Sequence, residues 1–92
     1  MKIDSKKFGK ILISRPAGRE AGLAMKAYFK PEADERLELD FKGVLAVGPS
    51  WLDEVLAILR GVYERDRVVC LPSDNLSVIE SLKVIDQQRH GS

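Results

Sequence analysis

Short apolar runs alternate with stretches of helical period along this chain, and prolines stand where one gives way to the other. Phe8-Gly9-Lys10-Ile11-Leu12-Ile13-Ser14 reads as a strand, and its unbroken run Ile11 to Ile13 suits burial on both faces. Pro16 fits the first turn of a helix, because its missing N–H would have had no partner there. That helix is expected from about Pro16 to Phe29, with Ala17, Ala21, Ala24, Met25 and Tyr28 on one apolar face. The alanines would let it lie close against a sheet, and Pro31 stops it. Leu37-Glu38-Leu39-Asp40-Phe41 alternates strictly, the strand period, and Val44 to Val47 continues into a turn at Gly48-Pro49. From Ser50 the period changes again. Trp51, Leu52, Val55, Leu56, Ile58, Leu59 and Val62 make a wide apolar stripe ending near Tyr63. Arg67-Val68-Val69-Cys70-Leu71 is the next strand, ended by Pro72. Ser73-Asp74-Asn75 offers caps for a last helix carrying Leu76, Ile79 and Leu82, with Val78 and Ile85 beside them. Lys2 to Asp4 adds a short edge strand.

This order predicts an α/β fold: a small, mostly parallel sheet of three to four strands with three helices. At 92 residues, one domain is expected over residues 1–88, with Arg89-His90-Gly91-Ser92 a flexible tail. So short a chain has a thin core and needs nearly every periodic apolar position inside.

Composition narrows the function classes. With 45% hydrophobic and 32% charged residues the chain is globular and not disordered. A net charge of +1 gives no general pull toward nucleic acid or an anionic membrane, and the basic residues are dispersed among acids. No apolar run approaches the ~20 residues that span a bilayer. Met1-Lys2-Ile3-Asp4 does not open a signal peptide, and a lone cysteine fits a reducing compartment, so a cytoplasmic location is expected. Cys70 lies mid-strand and reads as a small buried hydrophobe. The single histidine, His90, falls in the tail. Neither a nucleophile–base pair nor a metal ligand set can be assembled, so no catalytic residue, metal or cofactor is expected.

In parallel α/β folds ligands gather at the carboxyl ends of the strands. Ser14-Arg15, Gly48-Pro49-Ser50 and Pro72-Ser73-Asp74-Asn75 would share that edge. Ser50, with Asp53 three residues on, approximates a capping box whose hydroxyl would accept a backbone N–H. The other reading makes Ser50 a phosphorylation site, or makes the corner Gly48, Pro49, Ser50, Trp51, Asp53 and Glu54 a docking surface. Trp51 is then either core or an aromatic anchor for a partner. Ser14, Arg15 and Arg19 form either an anion-binding corner or a capped helix with solvated arginines. The corner lacks the Gly-Lys-Ser/Thr of a P-loop. Asp40 is expected to accept turn hydrogen bonds near Gly43.

Leu39-Asp40-Phe41-Lys42-Gly43-Val44, then Leu45-Ala46-Val47, then Gly48-Pro49-Ser50-Trp51-Leu52, resembles the core motif of the STAS superfamily. That domain is shared by anti-sigma factor antagonists and the cytoplasmic ends of sulphate transporters. Within it the chain is most similar to the STAS-like family of small bacterial proteins. Ser14-Arg15 after an early strand and Asp40, Phe41 and Val44 at a strand end match that family's pattern, over roughly Phe8 to Leu82. The resemblance implies a non-enzymatic regulatory domain with a kinase-like or other regulatory protein as partner, and a homodimer through an open sheet edge is a further expectation. In anti-sigma antagonists the turn reads Asp-Ser-Ser-Gly-like, and its first serine is phosphorylated. Here Gly48 and Pro49 occupy the aspartate and first-serine positions, and Ser50 matches the second serine. A small anion- or nucleotide-binding domain is the alternative expectation.

Overall fold

The computed structural model describes residues 1–90, the side chains of residues 88–90 excepted. In chain order the elements are β1 (Lys2–Asp4), β2 (Ile11–Leu12), α1 (Arg15–Tyr28), β3 (Leu37–Asp40), β4 (Ala46–Val47), α2 (Pro49–Arg60), β5 (Val68–Cys70) and α3 (Leu76–His90). The fold is α/β, with three helices, a three-stranded parallel sheet ordered β1-β3-β5 and a two-stranded parallel sheet β2-β4. Ile3 pairs with Leu39, which pairs with Cys70; Leu12 pairs with Val47. No helix among the described residues is long and apolar enough to cross a membrane. Helix α3 is assigned through His90, and the rest of the expected tail, Gly91-Ser92, lies outside the described residues.

Two aspartates at one level divide the sheet. Asp4 and Asp40 are register partners at the ends of β1 and β3. Each turns its carboxylate onto the N–H two residues ahead, Lys6 at 3.2 Å and Lys42 at 3.0 Å. Such local bonds compete with the sheet ladder and lead the chain out of it. Gly9 (φ 131°) and Gly43 (φ 85°) complete the two detours, in backbone regions that favour glycine. The chain then returns as β2 and β4. Asp40 therefore plays the turn role expected of it, through Lys42 and not Gly43.

The same detour corrects the expected strand from Phe8 to Ser14. Ser5–Phe8 is a 3-10 turn, and only Ile11–Leu12 is strand. Leu12 is buried, but Ile11 and Ile13 are 59% and 52% exposed, because no layer covers that face of β2. A continuous apolar run does not by itself mean burial on both sides.

Helix α2 anchors the core. Trp51, Leu52, Val55, Leu56 and Leu59 are buried in it, each worth about 1.5–3 kcal/mol before chain entropy is subtracted. It packs on α1, α3 and β5. The buried face of α1 is Gly18, Ala21, Gly22 and Met25: Ala21 and Met25 of the expected stripe lie on it, Ala24 is half-buried, and Ala17 and Tyr28 are exposed. A Cβ on Gly18 would lie 2.5 Å from the Trp51 carbonyl oxygen, so glycine sets how closely the two helices approach. In α3 the buried side is Val78, Ser81 and Ile85, while Leu76 is exposed.

Candidate functional site

The carboxyl-end corner is built from two helix starts of different chemistry. Ser14 caps α1: its Oγ accepts the Ala17 N–H at 3.3 Å, and Pro16 sits in the first turn. At α2 the expected Ser50 cap is replaced. Pro49 occupies the first helical position and has no N–H, so the cap shifts back to Gly48, which makes no side-chain cap bond. The Gly48 carbonyl accepts the Leu52 N–H at 3.2 Å. A Cβ there would lie 3.3 Å from Ile13, a close approach between the two corners. Ser50 is half-buried in the first turn, and its hydroxyl has no hydrogen-bond partner among the described residues.

Arg15 ties the corners together. Its Nη1 donates to Glu54 Oε1 at 2.9 Å and to Asp53 Oδ2 at 3.3 Å. Those bonds, Glu54 first, raise its pKa above the ordinary value. The guanidinium is thus neutralised within the chain, and Ser14, Arg15, Asp53 and Glu54 form one polar cluster. Arg19 lies exposed outside it. Trp51 is 1% exposed and meets Phe41 edge-to-face at 6.3 Å, so it is core and presents nothing to a partner.

Pro72, Ser73 and Asp74 line a different place. With Asp40, Phe41 and Lys42 they bound an open depression of about 540 Å³ at the carboxyl ends of β3 and β5. No group of His, Cys, Asp or Glu suited to a metal ion occurs among the described residues.

One cluster was invisible in the pattern. The Asn75 amide donates to the carbonyls of Val44 at 3.0 Å and Leu45 at 3.1 Å. Its Oδ1 accepts from the Ser77 N–H and hydroxyl at 2.9 and 2.6 Å, so Asn75 also caps α3. Ser77 Oγ accepts the Val47 N–H at 2.9 Å, and the buried Ser81 hydroxyl donates to the Val47 carbonyl at 2.8 Å. Three side chains of one helix start thereby do for β4 what a neighbouring strand would do.

The other flank of this ribbon has no such cover. The ladder uses the carbonyls of Lys10 and Leu12, which leaves Ile11 and Ile13 with their backbone groups turned away from β4 and without backbone partners among the described residues. Around the ribbon stand Ile11, Ile13, Leu45 and Leu76, all exposed. Leu45 is held by its N–H bond to Lys10, and Leu76 adjoins Asn75 on the opposite flank.

Compared with known proteins, the chain is matched by no family model, no curated protein and no solved structure.

Proposed function

We propose that this chain is a non-enzymatic regulatory domain of the cytoplasm that works by docking to another protein, as its resemblance to STAS-like proteins implies. The observation that carries the reading is the open flank of the ribbon β2-β4, where exposed Ile11 and Ile13 lie on an unpaired strand edge. Grouped apolar side chains on a small domain mark interaction sites, and an open edge supplies main-chain hydrogen bonds to an added strand. The docking surface is centred there, and not on Trp51. The polar cluster of Arg15, Asp53 and Glu54 borders it through Ile13 and Gly48 and supplies a charged rim. The partner is a regulatory protein, kinase-like by the resemblance. Ser50, with a hydroxyl free of partners among the described residues, is the phosphorylation site of this reading. A phosphate there would set negative charge near Asp53 and Glu54 and alter the rim.

The test is recovery of binding proteins from the source cell by wild type and by Ile13→Lys, with mass measurement of the bait. A discrete regulatory protein is expected with wild type and at least tenfold less with the variant, at unchanged melting temperature. Equal recovery by both would move the interface, and no stable partner at all would end the reading.

A further inference from the structure

The amino ends of β3 and β5 hold a second site, remote in the chain from the corner above. Arg36 precedes β3, Arg60 ends α2 and Arg65 lies in the turn before β5. Together with Asp66, Val68 and Val69 they line an open depression of about 490 Å³. Three arginines and one aspartate line it, and Asp86 acts on Arg60 from outside the lining. The ion pairs among the described residues involve the Met1 amine, Arg15 and Lys83, and none reaches Arg36, Arg60 or Arg65.

Two other arginines show what a structural guanidinium looks like in this fold. Arg15 holds two carboxylates. Arg67 donates to the carbonyls of Glu32 and Glu35 and lies 5.6 Å over the Tyr63 ring. Arg60 differs. Its Nη2 donates to the Val68 carbonyl at 3.0 Å, while its Nε–H is shielded from water and meets no acceptor. Burial lowers its pKa and the Arg65 charge lowers it further, against weaker support from Cys70 and Asp86. A like charge beside a partly desolvated guanidinium disfavours both until an anion joins them.

We infer that Arg36, Arg60 and Arg65 form a binding site for the phosphate group of a small phosphorylated molecule. A phosphate offers several acceptor oxygens in a geometry that guanidinium forks match, and its double charge answers the local excess better than one carboxylate. The open depression leaves room for the remainder of such a molecule.

Pyrophosphate is the probe, titrated at constant ionic strength with chloride as control and read by melting temperature and by the Arg60 Nε–H resonance. The expected result is a saturable rise, on the order of 10 °C at a hundredfold excess over Kd. The Arg60 resonance moves with the same midpoint. Arg36 and Arg65 are exposed, so the Arg36→Gln/Arg65→Gln variant keeps its fold, and it should lose about tenfold in affinity for each arginine. The inference is overturned by a rise that does not saturate, by a rise unchanged in the double variant, or by saturation that leaves the Arg60 resonance unmoved.

Discussion

The two flanks of the β2-β4 ribbon meet the same physical problem and answer it differently. On the β4 side a strand edge is closed by Asn75, Ser77 and Ser81, which supply donors and acceptors to Val44, Leu45 and Val47. On the β2 side Ile11 and Ile13 leave their backbone groups open and their side chains in water. A chain of this size can close an edge with three polar side chains. It does so on one flank only. Unprotected edges invite pairing with other chains, so the open flank is where a second polypeptide fits. The closed flank is architecture, and its loss should be read in stability; the open flank should be read in binding.

The sharpest break between the two readings concerns Trp51, which belongs with the closed architecture. Trp51→Ala should destabilise by about 3–5 kcal/mol, measured by urea unfolding, through the cavity it leaves against Phe41. A variant of wild-type stability would return Trp51 to the surface. Next in size is Asn75→Ala, which strips two carbonyls of a donor and α3 of its cap, for about 2–3 kcal/mol. Ser81→Ala leaves the Val47 carbonyl without its buried partner and should lower stability by about 1–2 kcal/mol. On the open flank Ile13→Lys should change stability by no more than about 0.5 kcal/mol, since the side chain is already half in water. A loss as large as that of Ser81→Ala would mean that both flanks are structural.

A separate prediction concerns pH. Burial pushes the Cys70 thiol on β5 up to about 11. The unfolded thiol ionises first as pH rises, so the native state then holds the extra proton and stability falls. The sign is a decline beginning near the unfolded thiol's pKa, about 8.5, and flattening above 11. Comparing wild type with Cys70→Ala across that window isolates it, and identical profiles would deny the burial.

The alternation of periods made the order of strands and helices legible, and the capping serine at Ser14 and the partial burial of Cys70 followed from local chemistry. What escaped is physically of one kind. Gly18 and Gly22 carry no hydrophobic signal, so the pattern shows Ala21 and Met25 on the face that packs on α2 but not the two glycines beside them. Ser50 looked like a cap because capping chemistry is scored by residue type; the prolyl nitrogen of Pro49 and the close pass of Gly48 by Ile13 decide otherwise. The Asn75 clamp and the Arg15 bridge join residues 30 to 39 positions apart, and no local period encodes such pairs. The run Ile11 to Ile13 reads as core because an apolar run is silent about which face has a layer over it.

The central claim is that one flank is closed and the other open. Amide hydrogen exchange by NMR on the dilute free protein reads it residue by residue. The account predicts that the Val47 amide, bonded to Ser77, is protected, while the amides of Ile11 and Ile13 exchange within a few fold of an unstructured peptide. Protection at Ile11 and Ile13 equal to that at Val47 would contradict it, because the flank assigned to a partner would already be closed by the chain itself.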